Sequence, residues 1–251
     1  FDFHRKTVEE LNLKPMKRVE LIEWLEVSMA EDLMGRCEQV ANLGLCTGQH
    51  SDYISSLGER WSTAIMAKYL GEVDVPSAYV LAADILVTDS VAGGATPDLE
   101  LTKQAALSRL VPLLQEGILP CVTGFIGADP SKTITTLGRG GSDISASVIG
   151  NVLDADEVTM YKVESVAAED GTLSSWKPGW IGIVSKGSTP NDTVPYMSYV
   201  EATQLKKVLH PATCYPLMDK EIPIRVGNTL EFLHPGTLIA NIPANGQTRR
   251  P

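Results

Sequence analysis

The chain has no surplus of positive charge. Its 21 Lys and Arg stand against 31 Asp and Glu, for a formal net charge of -10. No basic cluster interrupts that background, which argues against nucleic acid or an anionic membrane as the main partner. A phosphorylated small ligand needs only local positive charge, so it stays open. No apolar run reaches the roughly 18–20 residues needed to span a bilayer. Cysteine is scarce: Cys37, Cys46, Cys121 and Cys214 are scattered. They show no metal-ligand spacing and no disulfide framework, so free, packed thiols in a reducing compartment are expected. His210 and His234 each stand beside a proline, and neither is assigned to catalysis. There is no internal repeat and no clear interdomain linker. The opening, Phe1-Asp2-Phe3-His4, lacks an initiator Met and the pattern of a signal peptide, which reads as a processed, truncated or incompletely observed chain.

What is present centres on Thr135-Thr136-Leu137-Gly138-Arg139-Gly140-Gly141-Ser142-Asp143-Ile144-Ser145-Ala146. Before it, Leu119-Pro120-Cys121-Val122-Thr123-Gly124-Phe125-Ile126-Gly127 reads as a buried strand. After it, Ile144, Val148, Ile149, Val152 and Leu153 fall on one helical face. Ser142 and Asp143 are expected to cap that helix. Gly138, Gly140 and Gly141 allow close backbone approach to a ligand. The helix start favours an anion, and Arg139 adds a planar fork for carboxylate or phosphate. Asp143 can orient a lysine or meet a substrate ammonium. A tight turn with a capped helix is the plainer alternative. The adjacency of Arg, Gly-Gly, Ser and Asp favours an anion site.

In chain order, residues 1 to about 50 read as helices, with Trp24 in core or interface. Asp52 to Leu70 is a further helix carrying Ser55-Ser56-Leu57-Gly58-Glu59-Arg60. A glycine in its first turns costs about 1 kcal/mol relative to Ala, which close approach by a ligand or backbone would explain. Ala78 to Thr88 reads as a strand and its exit. Asp98 to Glu116 is an amphipathic helix that Pro112 should bend or shorten. Helix, strand, glycine loop and helix in succession imply a parallel sheet with crossover helices. Asp156 to Val163 is a strand. Glu169 to Asp192, with Trp176 and Trp180, is a long loop holding one short strand at most. Ser198 to Lys207 is a short helix, Pro211 opens another, and Ile222 to Val226 and Pro235 to Ile239 supply the last strands. Residues 1–240 are expected to form one domain, and 241–251 a loose polar tail.

Several of these segments together resemble one family, the aspartokinases, within the amino-acid kinase superfamily. Ser56-Leu57-Gly58-Glu59 resembles its Ser-x-Gly-Glu motif, and Val122 to Gly127 its Thr-Gly-Phe-x-Gly strand. Thr135 to Ala146 resembles its glycine signature nearly residue for residue. Lys207-Val208-Leu209-His210-Pro211, Ile222 to Thr229 and Pro235 to Ile239 are similar to the end of its catalytic domain. The start, His4 to Leu11, looks most like plant-type members. The resemblance implies an α/β fold, a three-layer αβα sandwich around an open, mainly parallel sheet. It implies transfer of the ATP γ-phosphoryl group to the side-chain carboxylate of L-aspartate, the first step of aspartate-family amino-acid biosynthesis. It further implies that Arg139 grips a substrate carboxylate, Glu59 holds the ammonium and Phe125 walls the pocket. Gly140, Gly141 and Ser142 would approach the reacting groups, and Asp143 would orient phosphate-binding cations. Lys162 and Lys207 would meet nucleotide phosphates, Tyr161 the base or ribose, and Mg²⁺ would bridge ATP phosphates with few protein ligands. A homo-oligomer or a subunit of a larger assembly is expected, in the plastid stroma or alternatively the cytoplasm.

Three departures stand against the family pattern. The opening strand with its Lys-Phe-Gly-Gly-Thr-Ser loop is absent, which should leave a sheet edge bare. The nucleotide loop is changed: Tyr161-Lys162-Val163-Glu164-Ser165-Val166 lacks the family's Asp-Gly, Thr189 replaces an Asp, and Glu169 to Gly187 look inserted. The helix before Lys206-Lys207 is shortened. The sequence stops before the point where the family's regulatory ACT domains usually stand, and incomplete coverage of a longer protein is one expected explanation of the missing ends. An alternative is therefore a catalytically impaired relative serving as a structural or binding subunit. A kinase acting on another amino acid is a third reading.

Overall fold

Helices and short strands both contribute to the fold. The computed structural model describes residues 1–162, 194–204, 209–229 and 233–241. The expected loop at Glu169 to Asp192 with Trp176 and Trp180, the changed nucleotide loop from Val163 on, the helix end at Lys206-Lys207 and the tail after Asn241 lie outside the described residues.

Two compact units emerge, Phe1–Ser145 and Ala146–Pro251. The first begins with helices α1 (Asp2–Glu10), α2 (Pro15–Ser28), α3 (Gly35–Leu43) and α4 (Gly48–Glu72), with a π-helical segment at Met29–Met34 between α2 and α3. Val8, Leu21, Leu25, Leu57, Trp61 and Ile65 bury one common face. Each such side chain contributes about 1.5–3 kcal/mol by leaving water. The Trp61 indole donates to Ser28 Oγ at 2.9 Å, so its polar edge is satisfied inside this core. Trp24 is not in the core: it is 39% exposed and lines a groove with Leu21, Ala64 and Tyr79.

Strand β1 (Ser77–Val80) and helix α5 (Leu99–Gln115) lead into β2 (Leu119–Val122), and β1 pairs with β2 in parallel. Asp98 caps α5 by accepting from the Leu101 N–H at 2.9 Å. Pro112 does not shorten α5, which continues to Gln115. The run from Leu119 to Gly127 is not one buried strand. It breaks at Thr123-Gly124-Phe125, and Leu119 is half exposed. The buried part is β3 (Ile126–Ala128), which pairs antiparallel with β4 (Ile134–Thr136). Short β4 is thus the strand that enters the glycine loop. Helix α6 (Gly141–Val152) follows, and the division between units falls within it.

In the second unit, β5 (Val158–Lys162), β6 (Tyr196–Met197), β7 (Ile224–Asn228) and β8 (Thr237–Ile239) form one sheet in the order β5-β7-β8-β6. Two of its three pairings are parallel, and β7 with β8 is antiparallel. Val158 and Met160 point inward while Thr159 and Tyr161 point out, the period-two alternation of a one-sided sheet. Helices α7 (Tyr199–Gln204) and α8 (Pro211–Met218) supply Tyr199, Ala202, Cys214 and Leu217 to the core. Burial pushes the Cys214 thiol up to about 11, so it behaves as a packed apolar group. Cys37 and Cys46 are exposed, contrary to the expectation of packing, because α3 and the turn after it bury no side chain.

A bidentate pair ties β5 to β7. Arg225 donates from Nε to Glu157 Oε1 at 2.7 Å and from Nη2 to Oε2 at 2.6 Å. Those bonds hold the Glu157 carboxyl below its ordinary value against the opposing effect of partial burial. A depressed carboxylate stabilises the fold above its unfolded value, about 4.3, and that stability is lost as pH falls through the folded value. Acid unfolding followed by circular dichroism should show this loss in the parent chain and a shallower acid dependence in Glu157→Gln. Equal acid slopes would refute the assignment.

Candidate functional site

Thr136 ends β4 and hands the chain to Leu137-Gly138-Arg139-Gly140. Gly138 has φ +69° and Gly140 φ +74°, the left-handed region that favours glycine. A Cβ on Gly138 would stand 2.7 Å from the Gly93 carbonyl oxygen. Arg139, held between these two glycines, is exposed and pairs with no acid among the described residues. Helix α6 starts at Gly141, so Ser142 and Asp143 lie in its first turn and do not cap it as expected. The Gly141 N–H donates to the Gly138 carbonyl at 3.0 Å instead, closing the turn.

Phe125 underlies this loop. Its φ is +65°, a conformation costing a non-glycine residue of order 1 kcal/mol or more. Three bonds hold it there. The Phe125 N–H donates to Ser145 Oγ at 2.9 Å, Ser145 Oγ donates to the Gly141 carbonyl at 2.9 Å, and the Phe125 carbonyl accepts from the Leu137 N–H at 2.9 Å. A Cβ on Gly141 would lie 2.6 Å from Phe125 Cδ2, so the loop rests directly on that ring. A Cβ on Gly124 would lie 2.9 Å from Ser142 Oγ.

Ser142 Oγ reaches the other side and donates to Glu59 Oε1 at 3.0 Å. Glu59 sits well inside α4, and Gly58 is therefore mid-helix, not in the first turns. The space where a Gly58 side chain would stand is open. The first unit thus brings together Glu59, Phe125, Gly140, Gly141 and Ser142, with Arg139 in the loop and Asp143 in the first turn of α6. Asp52 was not foreseen. Its carboxylate is 3% exposed and accepts from the Gly93 N–H, the Thr136 N–H and the Thr136 hydroxyl.

In the second unit, Tyr161 and Lys162 are adjacent on β5, opposite Gly227 and Asn228 of β7. Tyr161 is 54% exposed, and a Cβ on Gly227 would touch its ring at 3.3 Å. The Lys162 carbonyl accepts from the Thr229 N–H at 3.0 Å. Lys207 lies outside the described residues. His210 Nδ1 accepts from the Ala212 N–H at the start of α8, and His234 Nδ1 from the Gly236 N–H. Both serve the backbone.

A glycine loop feeding a helix start, with an exposed arginine and a seryl–glutamate pair, is what the first unit of this α/β chain presents, and such donors are chemically suited to a small anion. The chain belongs to the amino acid kinase family, whose model matches residues 5–174. It is 34% identical to aspartokinase 1, chloroplastic, of Arabidopsis thaliana over 95% of this chain and 39% of that protein. It is 32% identical to lysine-sensitive aspartokinase 3 of Escherichia coli over 76% of this chain and 40% of that protein. The structure of E. coli aspartokinase III in complex with aspartate and ADP matches with a TM-score of 0.70 at 27% identity, over 96% of this chain and 56% of that one. The chain spans about two fifths of the length of the curated relatives it matches.

Proposed function

We propose that this chain is the phosphotransfer portion of an aspartate kinase, converting ATP and L-aspartate to 4-phospho-L-aspartate and ADP. The observation that carries this reading is Arg139, exposed and unpaired with any acid among the described residues, between left-handed Gly138 and Gly140. A side-chain oxygen of aspartate forms a bond to the γ-phosphorus, the bond to the β,γ-bridging oxygen breaks, and ADP departs with that electron pair. Such a transfer rests on positioning and charge neutralisation. In our reading Arg139 binds a substrate carboxylate as a two-pronged donor, and Glu59 holds the ammonium. Ser142 keeps Glu59 aligned until substrate arrives. Phe125 shapes the pocket floor, and the Gly140 and Gly141 backbone approaches the reacting end.

For the nucleotide we assign Lys162 and Lys207 to phosphates and Tyr161 to the base or ribose. Among the described residues no group of three or more His, Cys, Asp or Glu side chains could hold a metal. A Mg²⁺ carried by the nucleotide fits that donor set, and when bound it neutralises phosphate charge. Asp143 would orient the cations around it. The relatives called chloroplastic support a place in the plastid stroma, which absence from a stromal fraction would reverse. We carry forward a homo-oligomer, which sedimentation at the monomer mass would overturn. None of the comparisons supports the alternative of a non-catalytic structural subunit.

Trapping of the acyl phosphate with hydroxylamine tests the reaction. Product should require ATP, Mg²⁺ and L-aspartate, and glutamate should not replace aspartate. Absence of both product and aspartate binding by a folded chain would sink the reading. Glu59→Gln should raise the half-saturating aspartate concentration by about tenfold or more, since the pair with the ammonium loses its anion, and leave that for ATP unchanged. An equal change in both would remove Glu59 from the ammonium site.

A further inference from the structure

We infer that Asp52 is a positioning residue that holds the glycine loop in the shape that presents Arg139. This rests on the reading of Arg139 as the carboxylate grip. Asp52 and Glu59 lie about two turns apart on one face of α4. The lower end of that face is tied to the strand entering the loop, and the upper end to the helix leaving it. Asp52 Oδ1 accepts from the Thr136 hydroxyl at 2.8 Å and from the Gly93 N–H at 3.0 Å. Asp52 Oδ2 accepts from the Thr136 N–H at 3.2 Å and from the same Gly93 N–H at 3.1 Å. Thr136 is 2% exposed, so no water can take over these bonds readily. The Thr136 carbonyl in turn accepts from the Ala95 N–H at 2.9 Å. Gly93 also meets the loop from above: its carbonyl is what a Cβ on Gly138 would strike. One carboxylate therefore fixes both the root of the loop and the segment that packs on it. Without it, Leu137 to Gly140, which follow Thr136 directly, lose this hydrogen-bonded tie to α4.

The donor pattern separates this role from bulk stability. Asp52→Ala leaves the two Thr136 donors unmatched in a buried place. Asp52→Asn does not, because its carbonyl oxygen can accept both N–H groups while its amide donates to the reversible Thr136 hydroxyl. Thr136→Ser keeps every bond, and Thr136→Val removes only the hydroxyl. The experiment uses the 251-residue chain and has two readouts, amide hydrogen exchange without ligand and calorimetric titration with L-aspartate and with ADP. Asp52→Ala should speed exchange across residues 135–141 and 93–95 by about tenfold or more. It should weaken aspartate by about tenfold and leave ADP unchanged, and Asp52→Asn should restore both. If Asp52→Ala fails to fold, Thr136→Val against Thr136→Ser carries the same comparison at smaller size. Exchange unaltered in the loop, or raised evenly through the first unit, overturns the inference. So does a loosened loop with unaltered aspartate affinity in a chain whose parent binds aspartate. If the parent itself binds none, the Arg139 reading fails and exchange alone decides whether Asp52 anchors the loop.

Discussion

Arg139→Ala should lower aspartate-dependent hydroxamate formation by about a hundredfold or more, with the chain as stable as before. The side chain is exposed and makes no ion pair among the described residues, so its removal takes little from the fold. In the proposed function its value lies in the ligand. A guanidinium fork meeting a carboxylate gives two charge-assisted bonds, and truncation leaves the substrate anion facing a helix start alone. Arg139→Lys should recover only part of the loss, because a point charge cannot reproduce two parallel bonds. Thermal melts establish that both variants remain folded, and titration with aspartate separates affinity from turnover. Turnover near that of the parent in Arg139→Ala would show that another cation grips the substrate.

Gly236→Ala should destabilise the second unit by roughly 3 kcal/mol or more. Gly236 has φ +63°, and a Cβ there would stand 2.1 Å from the Val226 carbonyl oxygen. Val226 belongs to β7 and faces Thr237 of β8, so relief requires parting the two strands. The surroundings offer little give. Arg225 Nη1 donates to the Pro235 carbonyl at 2.9 Å, and His234 Nδ1 accepts the Gly236 N–H at 3.0 Å. A flexible side chain could swing away from an added methyl, whereas a strand carbonyl in a ladder cannot. Urea unfolding of Gly236→Ala against the parent measures the effect. A midpoint within error of the parent would mean that the backbone at Gly236 relaxes without parting β7 from β8.

Much of the architecture could be read from local pattern. The amphipathic pattern of Asp98 to Glu116 marked α5, and the strand read at Asp156 to Val163 contains β5. The glycine signature identified the loop because its residue types are set by local backbone demands. Other parts depended on contacts distant in sequence. The break at Thr123 to Phe125 was hidden because an apolar run reads alike whether it is one strand or two. Only the pairing of Ile126 with Thr136 resolves it. The left-handed Phe125 could not be seen, since nothing near it in sequence announces the Ser145 hydroxyl that holds it. Asp52 drew no reading beyond the start of a helical stretch, because its partners, Gly93 and Thr136, come far later in the chain. Lys207, for its part, was legible as a motif but lies outside the described residues.

The Phe125–Ser145–Gly141 relay bears on the thermodynamics of recognition. A loop with three glycines in free solution samples many shapes, and a ligand that had to choose one would bear an ordering penalty. Here the Ser145 hydroxyl, serving as acceptor and donor at once, fixes two backbone groups of the loop's neighbourhood before any ligand comes. That ordering is completed during folding. Binding of a small acid should accordingly show a modest entropic cost and a heat dominated by the charged contacts.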